Sequence, residues 1–188
     1  MLLLMLSAYG MADMAYAGDL PDAYLQLHDK AATDAAALKQ LQAMAGKGDP
    51  QAQFCLADLY KPGLARCAVD TLTEQKVSTL KQDYKTAMQW YRKSAMKGNG
   101  FAADELADLY VGVEGVIPED MVQAAQWWMV AIDLDPDGGG FDATISFGAV
   151  RSGMSQEQLD KARNGADKLE AQIMKHKPAA TPAPAAAS

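Results

Sequence analysis

The 188-residue chain is poor in cysteine, histidine and positive charge, and each shortage excludes a class of protein. Two cysteines are too few to staple a fold or to hold a structural zinc unaided. Lysine and arginine number 17 against 24 aspartates and glutamates, so the net charge is −7 and nucleic acid is not an expected partner. Beyond the first few residues, no run of 18 apolar residues predicts a membrane span. The remaining composition, 49% hydrophobic and rich in alanine, is typical of an all-helical domain.

Both ends of the chain differ in composition from a folded core. Residues 1–17 begin with six apolar residues and end at Ala17 in the small-x-small pattern that signal peptidase reads. We therefore expect a signal peptide cleaved near Ala17 and a periplasmic or secreted mature protein. An ordinary buried N-terminal helix is the alternative, because a basic n-region is missing and Asp13 is unusual in an export signal. Residues 178–188 combine three prolines with six alanines, which predicts a disordered tail.

A repeated pair of segments fills the middle of the chain. The sequence Ala-Asp-Leu-Tyr at 57–60 recurs fifty residues later at 107–110, each time directly after a leucine. Residues 87–91 align in turn with 124–128, at an offset of thirty-seven. The difference of thirteen residues is an insertion in the first copy. Each copy predicts two α-helices joined by a loop that contains glycine and proline, an α/α-hairpin.

Small and bulky residues are distributed between the two helices of each predicted hairpin. An alanine one turn before the tyrosine leaves room for the close approach of a partner helix. We expect bulky rings of the second helix to fill the notch that this alanine leaves. A ligand-binding aromatic cluster is the alternative interpretation, but rings at matching places in successive hairpins are typical of a core. The rings concerned are Trp90, Tyr91, Trp127 and Trp128.

The second copy resembles the Sel-one-like repeat (SLR), an α/α relative of the tetratricopeptide repeat. The resemblance depends on residues 100–110, on the turn that contains Gly112, Gly115 and Pro118, and on residues 123–128. Ala at 107 replaces the usual glycine, and Gln at 123 replaces the usual lysine. The resemblance implies an all-α fold, a short right-handed solenoid of α/α-hairpins closed by a C-terminal capping helix.

The same resemblance divides the chain into successive helical units. We expect helices of a degraded repeat at 18–47, and a first repeat at 48–98 with its insertion at 61–83. A second repeat follows at 99–135, and a half repeat with the capping helix at 136–177. Ser155, with Gln158 three residues later, predicts the cap at which the last helix begins.

Both cysteines belong to the first copy. Cys55 lies on its first helix, and Cys67 lies twelve residues later in the insertion, past a proline and a glycine that let the chain double back. A disulfide is the favoured outcome in an exported protein, and periplasmic proteins of the SLR family often carry such bridges. A buried Cys55 with an unrelated, exposed Cys67 is the alternative.

No motif for catalysis, metal binding or cofactor binding is found in the sequence. Neither His28 nor His176 is spaced with Cys, Asp or Glu as a metal site requires. The nucleophile elbow, the phosphate loop and the dinucleotide fingerprint are missing. The acidic, glycine-rich stretch 133–140 lacks the downstream glutamate of a calcium loop, and we interpret it as a linker. We therefore expect neither an enzyme nor a cofactor.

The first helices of a hairpin stack line its inner surface, where such proteins bind their partners. We predict a partner-binding face from positions expected to point there and away from the core: Gln51, Phe54, Asp58, Phe101, Asp104 and Asp108. In the alternative, the aspartates are solvated surface and the phenylalanines pack on neighbouring helices. The predicted function is a periplasmic protein–protein interaction scaffold whose acidic face binds a basic partner.

The resemblance also suggests which partner to expect. Small exported proteins of the SLR family include immunity proteins that block toxic effectors delivered by type VI secretion, notably lipases. An immunity-type inhibitor is therefore the first hypothesis. A regulatory partner of a membrane sensor kinase is the second, and a hydrolase is the third.

Overall fold

The computed structural model describes residues 22–61, 66–67, 80–136 and 139–176, and these form eight α-helices without a β-strand. The predicted all-α class is confirmed. None of the helices in these parts of the chain has both the length and the apolar character needed to cross a membrane. The predicted signal peptide and C-terminal tail lie outside the described residues. The helices are α1 (Asp22–Ala31), α2 (Ala35–Gly46), α3 (Pro50–Tyr60), α4 (Tyr84–Ala95), α5 (Gly100–Tyr110), α6 (Met121–Leu134), α7 (Gly139–Arg151) and α8 (Gln156–His176).

The helices pack as a stack of hairpins. Helix α3 packs on α4 and α5 packs on α6, so each copy of the repeated sequence is one hairpin. Among the first helices, α1 contacts α3 and α5 contacts α7, whereas the second helix α6 contacts α8. The face formed by α1, α3, α5 and α7 is called the inner face below.

Helix boundaries in both copies are set by the same residue types. Asp49 and Asn99 cap the first helices by accepting hydrogen bonds from the backbone N–H groups of the first turn. Gly48 and Gly98, which precede these caps, have φ of 95° and 91°, a backbone conformation that favours glycine. The turn into each first helix is therefore encoded locally.

The insertion leaves the hairpin of the first copy closed in the same way as that of the second. Asp83 caps α4, and its backbone N–H donates to the carbonyl oxygen of Tyr60 over 2.8 Å. Asp120 caps α6, and its backbone N–H donates to the carbonyl oxygen of Tyr110 over the same distance. The backbone at the two ends of the insertion therefore has the same arrangement as in the second copy.

The repeated alanines and most of the bulky rings are buried in the core. Ala57 and Ala107 are completely buried, and so are the rings of Tyr91 and Trp127. Trp128 is buried as well, and its ring lies 6.4 Å from that of Phe147 on α7. Trp90 differs because it is half-buried, with the Lys93 ammonium 3.8 Å from its ring centroid. Tyr91, Trp127 and Trp128 are therefore core residues.

The C-terminal helices close the stack unevenly. The predicted cap of α8 forms, since the Gln158 N–H donates to Ser155 Oγ and the Ser155 N–H donates to Gln158 Oε1. Helix α8 packs on α6 and covers its outer side. Helix α7 instead exposes Phe141 and Ile145, each 61% accessible to solvent.

Candidate partner-binding face

A disulfide fixes the insertion against the inner face. Cys55 and Cys67 are bonded, their Cα atoms are 5.1 Å apart, and both side chains are completely buried. The backbone N–H of Cys67 donates to Asp58 Oδ2 over 2.6 Å, and its sulfur lies 3.8 Å from the carbonyl oxygen of Tyr24 on α1. The predicted disulfide is confirmed, and it holds residues 66–67 among the first helices.

Arg66, next to the disulfide, joins α5 to α7. Its Nε lies 2.7 Å from Glu105 Oε1, and its Nη2 lies 2.9 Å from Asp104 Oδ2. Its Nη1 donates to Asp142 Oδ2 over 2.8 Å. Lys61, at the end of α3, also pairs with Glu105. Two cations from the first copy therefore neutralise carboxylates of the second hairpin and of α7.

In each hairpin, an aspartate of the first helix accepts a hydrogen bond from an aromatic side chain of the second helix. In the first copy the Tyr91 hydroxyl donates to Asp58 Oδ1. In the second copy the Trp128 Nε1–H donates to Asp108 Oδ1 over 3.2 Å. The aspartates occupy equivalent repeat positions, and so do the two rings. This pair fastens the first helix of each hairpin to the second.

Burial weakens the acidity of the groups in this region. Burial, more than the neighbouring carboxylates, raises the pKa of Asp104 to about 7 against the attraction of Arg66. Burial likewise raises the pKa of Glu105, although Lys61 opposes the change. The pKa of Tyr91 lies well above its ordinary value because the phenol is buried and faces Asp58. Tyr91 is therefore a neutral hydrogen-bond donor.

Among the described residues, five carboxylates and two cations lie at this part of the inner face. Lys61 and Arg66 pair with three of these carboxylates, those of Asp104, Glu105 and Asp142. Asp142 is 49% accessible and Asp108 is exposed, so both can be reached from solvent. The carboxylates, called the acidic cluster below, are Asp58, Asp104, Glu105, Asp108 and Asp142.

The fold agrees with that of a known repeat protein. The sequence matches no protein-family model and no curated protein. The structure is similar to the crystal structure of a protective antigen present in uropathogenic Escherichia coli strains, which displays an SLR fold. The TM-score is 0.54, the sequence identity is 22%, and the match covers 77% of this chain and 29% of the antigen. The chain has an SLR fold. It spans less than a third of the antigen, so the likeness concerns the fold alone.

Three residues of the predicted binding face are not accessible in this SLR fold. Phe54, Asp58 and Asp104 are completely buried, so the expectation that they point away from the core is wrong. The Phe54 ring packs between two others, with centroids 5.8 Å from Tyr91 and 6.2 Å from Phe101. Residues 66–67 of the insertion lie against both aspartates, and a ring donor also lies against Asp58, which the repeat pattern does not reveal.

The other three predicted residues lie nearer to solvent. Gln51 is half-buried and accepts a hydrogen bond from Asn99 Nδ2 over 3.0 Å, which links the two first helices. Phe101 is half-buried against Phe54. Asp108 is the exposed residue of the six. A role of these residues in partner binding stays a prediction.

The partners of the carboxylates are not evident from the repeat pattern. Asp104 and Glu105 occupy the repeat positions that hold Phe54 and Cys55 in the first copy. Two acidic residues at positions that are apolar in the other copy were a signal that cations must come from elsewhere. Arg66, directly before the second cysteine, is one such cation, and Lys61 is the other. No group of His, Cys, Asp and Glu within the described residues has an arrangement that could hold a metal ion.

Proposed function

We propose that this chain is an exported protein-binding scaffold whose inner face receives a partner with a basic surface. The observation that supports this is the excess of carboxylates in the acidic cluster over the two cations that neutralise it. Asp108 and Asp142 are the carboxylates of the cluster that solvent can reach at the edge of the face. Surplus charge of one sign attracts a partner of opposite charge and accelerates its association.

The disulfide supports export. Thiols in the cytosol are kept reduced, whereas disulfides persist in the periplasm and outside the cell. The buried Cys55–Cys67 bond is the tie that holds Arg66 on the inner face. A chain that requires this bond for its inner face is suited to an oxidising compartment, which agrees with the signal peptide expected from residues 1–17.

The specific form of this function that we propose is an immunity-type inhibitor of an effector delivered by type VI secretion, such as a lipase. The support is the resemblance of the repeats to the SLR family. In this proposal the chain binds and does not catalyse. Hydrolysis of an ester, β-lactam or peptide substrate by the purified chain would contradict it.

A pull-down from a periplasmic extract tests the proposal. The wild-type chain is compared with Asp108→Lys and with the control Glu157→Lys, which makes the same charge change on exposed α8. We expect wild type and control to recover the same partner, and Asp108→Lys to lose most of it. Equal recovery by all three chains would contradict the proposal. An inner-membrane sensor kinase as the partner, in place of a secreted effector, would contradict the immunity role only.

A further inference from the structure

We infer that Asp104, Glu105 and Asp142 form a guanidinium-binding site, that Arg66 occupies this site in the free protein, and that an arginine of the partner takes its place. The role of the partner depends on the proposed function, whereas the existence of the site does not.

The geometry is that of a guanidinium receptor. Each of the three nitrogens of Arg66 lies within 2.9 Å of a different carboxylate. Helix α5 supplies two of these carboxylates and α7 supplies the third. A guanidinium presents its N–H donors as a rigid planar fork, which such an arrangement recognises and a single ammonium cannot satisfy.

The site is open on the side from which Arg66 enters. Asp104 is completely buried and the Glu105 side chain is 6% accessible, whereas the Arg66 side chain is 28% accessible. When Arg66 withdraws, solvent or another side chain therefore reaches the carboxylates along the same route. Both carboxylate oxygens of Asp104 are buried without a hydrogen bond, and Oδ2 has only its ion pair with Arg66 Nη2, so the site has more acceptors than Arg66 uses.

Arg66 is held next to the site by the disulfide of the following residue. Its neighbour Cys67 is bonded to α3 and donates its N–H to Asp58, which keeps the guanidinium next to the site. A tethered group competes at an effective concentration on the order of millimolar or more. A free arginine therefore competes poorly with it. A partner needs further contacts, which the exposed Asp108 offers at the edge of the site.

Isothermal titration calorimetry with a short peptide tests the site without the partner. The probe is acetyl-Gly-Arg-Gly-amide, and its control is the same peptide with neutral citrulline in place of arginine. The proteins are wild type, Arg66→Ala and Arg163→Ala. Arg163→Ala is the control, because it removes the same charge from a different ion pair. In that pair Arg163 of α8 lies 3.4 Å from Asp133 of α6.

We expect Arg66→Ala to bind the arginine peptide at least tenfold more tightly than wild type or Arg163→Ala, and not to bind the citrulline peptide. Three results would overturn the inference. These are no binding by Arg66→Ala, equal binding by Arg66→Ala and wild type, and equal binding of the two peptides.

Removal of Arg66 leaves buried carboxylates without their cation, so the fold of the variant is tested separately. If Arg66→Ala is unfolded alone, ethylguanidinium chloride is added, with ethylammonium chloride at the same concentration as the control. Recovery of the helical circular dichroism signal with ethylguanidinium alone supports the site. Failure to recover with either salt overturns it.

The outcomes for the site and for the proposed function can be separated. If the peptide fails to bind while Asp108→Lys still abolishes partner recovery, the site is refuted and the scaffold function stands. If the peptide binds to Arg66→Ala and no partner depends on Asp108, the site stands and its role in partner binding is refuted.

Discussion

Substitution of Tyr91 by phenylalanine isolates the contact that fastens the two helices of the first hairpin. The ring and its packing against Phe54 are kept, and only the hydroxyl that donates to Asp58 is removed. Asp58 keeps the backbone N–H of Cys67 as a donor. The experiment therefore measures one hydrogen bond in a completely buried setting.

The expected loss follows from the charge and burial of the acceptor. A hydrogen bond to a charged group contributes about 1.5–3 kcal/mol to stability, and a buried group left partly unsatisfied adds to the cost. We expect the free energy of unfolding to fall by about 2 kcal/mol. In a chain of this size the midpoint of thermal unfolding would fall by about 4–8 °C. Because the pKa of Tyr91 is raised, the phenol stays neutral and the loss is the same from pH 6 to pH 9.

Urea denaturation followed by circular dichroism measures this loss, and Tyr110→Phe is the matched control. The Tyr110 hydroxyl accepts a hydrogen bond from Arg92 Nη2 over 2.6 Å at the surface, so its removal should cost less than about 0.5 kcal/mol. If Tyr91→Phe and Tyr110→Phe lower the free energy of unfolding equally, the buried hydrogen bond of Tyr91 to Asp58 does not contribute the expected amount of about 1.5–3 kcal/mol.

Three further predictions concern the frame of the inner face. Replacing both cysteines by alanine should lower the free energy of unfolding by about 3 kcal/mol in urea titrations, because the disulfide closes a loop of twelve residues; an unchanged value would contradict this. Gly139→Ala should cost about 1–3 kcal/mol, since a Cβ there would lie 2.5 Å from the backbone nitrogen of Phe101. A Cβ at Gly148, on the same helix, would meet nothing within 4 Å, so Gly148→Ala should raise the free energy of unfolding by about 0.5–1 kcal/mol. A lower thermal midpoint for Gly148→Ala than for Gly139→Ala would contradict the packing of α7 on α5. The pKa of Asp104 is raised from 3.8 to about 7, so its contribution to stability is complete below about pH 4 and is lost as the pH rises to 7. Between pH 5 and pH 8 the free energy of unfolding of the wild type should therefore fall by about 2 kcal/mol more than that of Asp104→Asn. Parallel curves of stability against pH for the two proteins would show that Asp104 does not titrate in this range.

The fold was predictable because its determinants are local and occur twice. The capping residues Asp49 and Asn99, the notch at Ala57 and the bulky ring at Trp127 each act within one hairpin or between neighbours. Such short-range rules can be read from residue types and spacing, and the structure agrees with them.

The candidate site was only partly predictable because it depends on where the insertion returns. Asp104 has the sequence character of a solvated helix residue, yet Arg66 reaches it from thirty-eight positions earlier in the chain. The path of a loop is set by tertiary contacts, here the disulfide of Cys67, and no spacing rule specifies it. Asp108 is exposed while its Oδ1 accepts from Trp128 Nε1–H, and its role in partner binding stays a prediction.

The most direct test of an acidic inner face is the association rate of the recovered partner, measured by stopped-flow fluorescence at low and high salt. We expect Asp108→Lys to slow association roughly tenfold or more at low salt and Glu157→Lys to leave the rate unchanged, and we expect the rates to converge when salt screens the charges. An equal association rate for wild type and Asp108→Lys at low salt would mean that the acidic cluster does not attract the partner.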